Sequence, residues 1–414
     1  MEKPARHHCK HDYLPIKKKG DKMNRRRFVQ SLGAGALGFG MGASGMAQAE
    51  QAGLPQDGFR GNQPKSAQAL SAWHKQGTAE TAIDVDMPIV DPHHHLYGVQ
   101  TDKTFYRLED LAADLGSGHK VLGTVYVEAY GAGWRSSGPQ ELRSVGEVER
   151  IVALTTAPLN LPQGQCEVAA GIVSNVDLTL GASVENVLAA HREAGGRRLS
   201  GIRHMAVFDE GPIGRLVKVQ PAQYLLRDDR FREGFAKLEP AGLAFDTWLY
   251  HTQLDDLASL ADAFPNTRII VNHMGGLIGV ANYRTGRSEQ FALWRSRMAD
   301  LARRDNVHVK VGGMGMPVFG FGFEQGGEPA LSEALAKAWR PLVEVCLESF
   351  GAQRCMFESN FPVDKQSCSY VSLWNAFKLL SRSLSTDERK DLFYRTACRS
   401  YQLAELEARC ERSV

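Results

Sequence analysis

The sequence predicts an α/β fold of eight βα units, closing as a (β/α)8 barrel in preference to an open doubly wound sheet. Three observations carry this. From about Thr81 onward, short β-branched runs alternate with longer amphipathic stretches. Eight such runs can be counted, several of them continuously apolar, as strands buried on both faces are. The first and last lie about 270 residues apart, near the ~250 typical of such a barrel. Alternation alone also fits an open sheet, so periodicity leaves that alternative standing.

The N-terminal stretch is read apart from the fold. Residues 1–49 carry ten Lys/Arg against three Asp/Glu, and the remainder carries 39 against 44, a net charge of about −5. Within the basic part, Asn24-Arg25-Arg26-Arg27-Phe28 is followed by a Gly/Ala-rich apolar run from Leu32 to Met46 and by Ala47-Gln48-Ala49, a small-x-small cleavage pattern. The arginine pair resembles a twin-arginine export signal. The run of about 15 residues is short of the ~20 needed to span a bilayer. Residues 1–49 are therefore expected to be a signal peptide with its true start at Met23, the partner to be the twin-arginine translocation machinery, and the destination to be periplasmic. Residues 50–80, rich in Gln, Gly, Ala, Ser and Pro without a sustained period, read as a linker or loosely docked arm, and 81–414 as the barrel domain.

The strands are expected at Pro88–Leu96, Lys120–Ala129, Glu167–Asn175, Leu199–Val207, Leu243–His251, Arg268–Met274, Val307–Gly313 and Arg354–Phe361. Helices fall between them at Val184–Ala194, Asp229–Glu239, Leu254–Ala263, Ser288–Arg303 and Ser332–Phe350, and after the last strand at Ser369–Ser383. Pro265-Asn266 stops one helix just before the sixth strand. A chain of 414 residues, 43% hydrophobic, buries a large core without disulfides, and the six cysteines beyond the signal show no CxxC spacing. No Lys/Arg cluster outside the signal could track phosphates, which excludes nucleic acid as a partner.

Chemistry enters with IVDPHHHLY. Residues two apart in a strand share a face, so His93 and His95 project together while His94 points away. Two neutral imidazoles at a strand end can grip one metal ion or one carbonyl, and they can equally donate to an oxyanion. His251 closes the fifth run in FDTWLYHTQL and His273 the sixth in RIIVNHMGG. A single strand-end histidine is commonly structural, but four at the same end of three strands mark the end where barrel enzymes build their sites.

These segments resemble a known family. DPHHHLY, GIRHMAVFDE, LAFDTWLYHTQL, IIVNHMGG, VHVKVGGMGMP, RCMFESNFPVDK and FYRTACRSYQL are together similar to the amidohydrolase-related proteins that include 2-pyrone-4,6-dicarboxylate lactonase, sugar-acid lactonases and resorcylate-type decarboxylases. The likeness runs from about Ile89 to Leu403 and implies an amidohydrolase-like TIM barrel, against the open sheet. It further implies that His93 and His95 are the paired first-strand ligands, with His273 and His251 from the sixth and fifth strands. The four would surround one divalent metal, Zn or Mn, or act without a metal as the family's lactonases are thought to do. The eighth strand departs from the family pattern. Relatives usually carry Ser-Asp-aromatic-Pro, whose Asp takes a proton from water, whereas this chain reads Ser359-Asn360-Phe361-Pro362. An amide cannot be a general base, which leaves Asn360 to orient water or ligate weakly. The base is then another residue such as His273 or Asp364, or the reaction needs none, or catalysis is lost.

Glu128 and Arg203 fall at the ends of strands two and four, either as an internal ion pair or as a clamp for a substrate carboxylate. Lys310, inward on strand seven, needs a partner if buried. The Gly-, Met- and Phe-rich stretch GGMGMPVFGFGFEQGGEP suits a lid or a packed loop. The expected function is hydrolysis of a lactone or other carboxylated ester by water attack on a carbonyl polarised by the histidines, with a non-oxidative decarboxylase or an inactive binding barrel as alternatives. Barrels of this type often pair, so a homodimer is expected.

Overall fold

The structure is a computed structural model describing residues 63–98, 105–217 and 219–413. The expected export signal at 1–49 lies outside the described residues, as does the linker up to residue 62.

The strands are β1 (Ile89–His94), β2 (Val121–Val127), β3 (Leu159–Leu161), β4 (Gly164–Asn175), β5 (Leu199–Arg203), β6 (Ala244–Thr247), β7 (Ile269–Val271), β8 (Val307–Val311) and β9 (Cys355–Phe357). Apart from β3, an antiparallel partner of β4, they pair in parallel in the order β1-β2-β4-β5-β6-β7-β8-β9. Closure comes from a parallel bridge between His94 and Phe361, with His95 N donating to Phe361 O at 2.8 Å and Asn360 N to His93 O at 2.9 Å. Asp91, wholly buried, ties the seam by accepting from His93 N, Ser359 N and the Tyr370 hydroxyl at 3.3, 3.0 and 3.1 Å. The result is a nearly closed eight-stranded parallel barrel and not an open sheet, as the order of the motifs implied.

Helices α1 (Ala67–Gln76), α2 (Leu108–Leu115), α3 (Val145–Leu154), α4 (Val184–Gly195), α5 (Asp229–Phe235), α6 (Leu254–Ala263), α7 (Arg287–Leu301), α8 (Ser332–Phe350) and α9 (Tyr370–Leu380) accompany the strands. Ile269, Ile270 and Val271 of β7 are all fully buried, as a strand with the barrel interior on one side and helices on the other must be. All six described cysteines are free and buried. No helix among the described residues is long and apolar enough to cross a membrane.

Part of the expected linker is ordered. α1, capped by Ser66, buries Leu70 and Trp73. Trp73 Nε1 donates to Gly326 O at 2.9 Å, and the His74 ring meets Lys365 O at 2.8 Å. Glu80 accepts from Ser332 N at 3.0 Å. The arm is thereby fastened to the loops that follow β8 and β9, on the rim where the site lies. Two buried side chains three residues apart give too little periodicity to announce so short a helix.

Candidate active site

Several of the expected strands stop early, and the stops create the site. β7 ends at Val271 rather than Met274, because His273 and Met274 both take left-handed backbone angles, φ 53° and 52°. The run through Phe361 breaks at Asn360, φ 54°. β6 ends at Thr247, so His251 lies in a separate turn four residues on.

His93, His95 and His273 come together. The rings of His93 and His273 lie 4.6 Å apart centre to centre, and those of His93 and His95 4.9 Å. His93 Nε2 and His95 Nε2 approach to 3.2 Å, and His95 Nδ1 donates to Val127 O at 2.9 Å. Burial holds all three rings well below the ordinary imidazole pKa; the Arg203 cation pushes all three the same way, and Lys310 does so for His93 and His273. The rings are therefore neutral, with one lone-pair nitrogen each. His94, as alternation requires, faces away and meets Thr124 Oγ1 at 2.8 Å.

His251 does not join them. Its Nε2 lies 2.9 Å from Gln290 Oε1, its backbone N donates to Gly276 O at 3.1 Å, and its ring packs against Tyr283. The residue that joins in its place is Glu358 of the β9 end. Wholly buried, it sets Oε1 2.7 Å from His273 Nδ1 and 3.2 Å from His273 N. Its Oε2 lies 2.7 Å from His93 Nδ1 without a hydrogen bond in line. Burial pushes this carboxyl up to about 8. Sequence reasoning passed over it, although a carboxylate inside the apolar run CMFESNF, two residues before Asn360 and so on its face, was a signal that could have found it.

Arg203 and Glu128 form a buried ion pair, Nε to Oε1 2.7 Å, with Nη2 donating to Glu128 O at 2.7 Å. The third guanidinium nitrogen, Nη1, turns to within 3.5 Å of His93 Nε2. The pair and a clamp are thus compatible, since one arm of the fork remains in the site. Below Glu128, Glu147 accepts from the Tyr126 hydroxyl, Ala129 N and Trp134 Nε1 at 2.6, 2.6 and 2.9 Å, pinning the GAGWRSSGP loop; burial, with the nearby Glu128 charge, raises its carboxyl to about 7. Lys310, fully buried, has the partner its position demanded: Nζ donates to Asp246 Oδ1 at 2.8 Å and lies 3.4 Å from His93 Nδ1. Both members of that pair are fully buried, so the Lys310 charge is matched within the barrel.

Asn360 sits at the same seam, 1% exposed. Its Nδ2 donates to Asp364 Oδ1 at 2.8 Å, and Asp364 Oδ2 accepts from Gly315 N at 2.8 Å. Both Asp364 oxygens are thus committed to holding the amide and the loop after β8. That loop is packed: Met314, Val318, Phe319 and Phe321 are buried, and Phe319, Phe321 and Phe323 stack in series at 6.5 and 6.0 Å.

His93, His273 and Glu358 form a group whose donor atoms all lie within 4.8 Å of one another. Along the Glu358 edge the 2.7 Å contacts are hydrogen-bond separations, tighter than the ~3.3 Å between two atoms bound tetrahedrally at ~2.05 Å. The opposite edge suits a divalent ion better. There His93 Nε2 and His95 Nε2 stand 3.2 Å apart; His95 Nδ1 donates to a carbonyl, the support that ligating histidines take, while His93 Nδ1 faces the Glu358 carboxyl out of line. The residues therefore fit a metal held by His93 and His95, with the Arg203 charge beside it weakening the hold.

Comparison with known proteins agrees with this architecture. A family model described as amidohydrolase matches residues 90–403. An uncharacterized protein, y4mH of Sinorhizobium fredii, is 37% identical over 177 residues, 43% of this chain and 53% of its own length. L-fucono-1,5-lactonase of Burkholderia ambifaria is 29% identical over 177 residues, 40% of this chain and 54% of its own. The chain thus matches about half the length of these curated relatives. A crystal structure of an amidohydrolase from Burkholderia multivorans with bound zinc superposes with a TM-score of 0.57 at 21% identity, covering 76% of this chain and 99% of that one.

Proposed function

The chain belongs to the amidohydrolase family, and from that premise we propose that it is an exported hydrolase that opens a lactone, or a related ester, of a carboxylated small molecule. The observation that carries this is the meeting of neutral, buried imidazoles with a guanidinium nitrogen, Arg203 Nη1, whose one contact is a long 3.5 Å approach to His93 Nε2. Two relatives that match part of the chain at 29% and 26% identity are L-fucono-1,5-lactonases, which supports the lactone class.

Arg203 Nη1 binds the substrate's anionic group or the carbonyl oxygen as negative charge develops on it, while Glu128 keeps the guanidinium aligned. A water attacks the carbonyl carbon and gives up a proton to His273. The carbon to ring-oxygen bond breaks, and that proton passes to the departing alkoxide, giving a hydroxy acid. A divalent ion, Zn or Mn, held by His93 and His95 supplies Lewis-acid polarisation of the carbonyl when bound.

The test is a panel of sugar-acid and dicarboxylate lactones assayed by acid release, with carbon dioxide measured in parallel and metal content determined on the same preparation. Acid release that falls about 10²- to 10⁴-fold in His273→Gln supports the reading. Carbon dioxide in place of acid, or wild-type rates in both His93→Ala and His273→Gln, would overturn it.

A further inference from the structure

The most unusual placement in the molecule is a single carboxylate, Glu358, shared between two histidines from opposite sides of the barrel seam. His273 and Met274 are successive non-glycine residues with positive φ, a conformation that persists only where the surroundings enforce it. The enforcement is visible. Glu358 Oε1 accepts both N–H groups of His273, from the backbone at 3.2 Å and from ring Nδ1 at 2.7 Å. The ring is walled on one side by Gly313, where a Cβ would lie 2.4 Å from His273 Nδ1. On another side it meets the edge of Trp248, with centroids 4.9 Å apart. Because Oε1 already accepts the His273 backbone N–H, any proton the carboxyl holds sits on Oε2, so Oε1 also accepts from the ring: the His273 proton sits on Nδ1 and Nε2 carries the lone pair. That Nε2 has no hydrogen-bond partner among the described residues. Meanwhile Oε2 stands 2.7 Å from His93 Nδ1, so one side chain on the β9 end spaces rings from the β1 and β7 ends.

We propose that Glu358 is the positioning residue of the site: it fixes the tautomer and direction of His273 and the spacing of His93, and so makes His273 Nε2 the acceptor of the water proton. The last clause rests on the hydrolytic reading above; the tautomer does not. Asp364, the other buried carboxylate nearby, cannot take this part, since its oxygens are spent on Asn360 and Gly315.

The experiment is a nitrogen-15 spectrum of the histidine side chains in the whole protein, with His273 assigned by loss of its signals in His273→Gln. The wild type is expected to show His273 protonated at Nδ1; an Nε2-protonated His273 would overturn the proposal without any variant. Glu358→Leu, which keeps volume and removes both acceptors, is expected to mix or reverse the tautomer. It should also lower kcat about 10²- to 10³-fold with KM within about threefold. An unchanged tautomer or unchanged kcat in a folded Glu358→Leu protein would also overturn it. If the wild type shows the Nδ1 proton but opens no lactone, the anchoring stands and the hydrolytic reading falls.

Discussion

Replacing Arg203 with Met separates the two roles that geometry gives this residue. The substitution leaves Glu128, fully buried, without its 2.7 Å partner, and the Glu128 carbonyl without its 2.7 Å donor; only Tyr130 N still serves the carboxylate, at 2.7 Å. Stranding one member of a buried pair costs about 3–5 kcal/mol, a large share of the ~5–15 kcal/mol that holds a domain folded. With about 2.1 cal/mol/K of unfolding entropy per residue, Tm should fall by roughly 4–7 °C. Losing a charge-assisted contact to the substrate costs a further ~1.5–3 kcal/mol, a 10- to 150-fold drop in kcat/KM. The double variant Arg203→Met with Glu128→Gln removes the stranded charge, so most of the stability should return while kcat/KM stays low. Denaturant unfolding and lactone kinetics on the three proteins read both quantities. Full recovery of kcat/KM in the double variant, or a loss below about 1 kcal/mol in the single one, would show that Nη1 does not reach substrate or that the pair is solvated.

Three further outcomes are expected. Gly313→Ala places a methyl group 2.4 Å from His273 Nδ1 at φ 69°, which should cost about 1–3 kcal/mol by overpacking and backbone strain and lower kcat along with Tm. The folded-state pKa of Glu147, about 7, lies above its ordinary 4.5, so the folded chain holds that proton more tightly than the unfolded chain. The stability it contributes is full below about pH 4.5 and is lost as pH rises through 7; Glu147→Gln should flatten that part of a Tm against pH curve. For export, Arg25→Lys with Arg26→Lys should leave the precursor in the cytoplasm, measured by cell fractionation, whereas unchanged periplasmic protein would argue for another route.

The barrel was legible because its evidence is repeated. Each βα unit restates the same alternation, and a strand such as Ile269–Val271, fully buried, cannot be written without an apolar run. Half of the site was legible for the same reason, since strict alternation puts His93 and His95 on one face and sends His94 to Thr124. Alternation fails where the chain leaves the pleat, and the rest of the site lies there. His251 was assigned to a strand that stops at Thr247, so its direction could not be read from parity. His273 and Asn360 sit at positive φ, a conformation that no apolar pattern encodes and that only tertiary contacts hold.

Glu358 shows what this means for the chemistry of the eighth barrel strand. Asn360 supplies no carboxylate, and taken alone its amide suggests a site without a base. Two residues earlier the chain places an acid where an apolar strand would have none, and folding brings it within 2.7 Å of two histidines contributed by other strands. A carboxyl group is thereby kept at the seam, but behind the rings rather than in front of them. From there it can reach the substrate only through an imidazole, which is why the proposed mechanism gives the proton-accepting role to His273. It also accounts for Lys310 and Arg203, which lie 3.4 and 3.5 Å from the two nitrogens of His93: with Asp246, Glu128 and Glu358 behind them, both cations are matched inside the barrel before any substrate arrives.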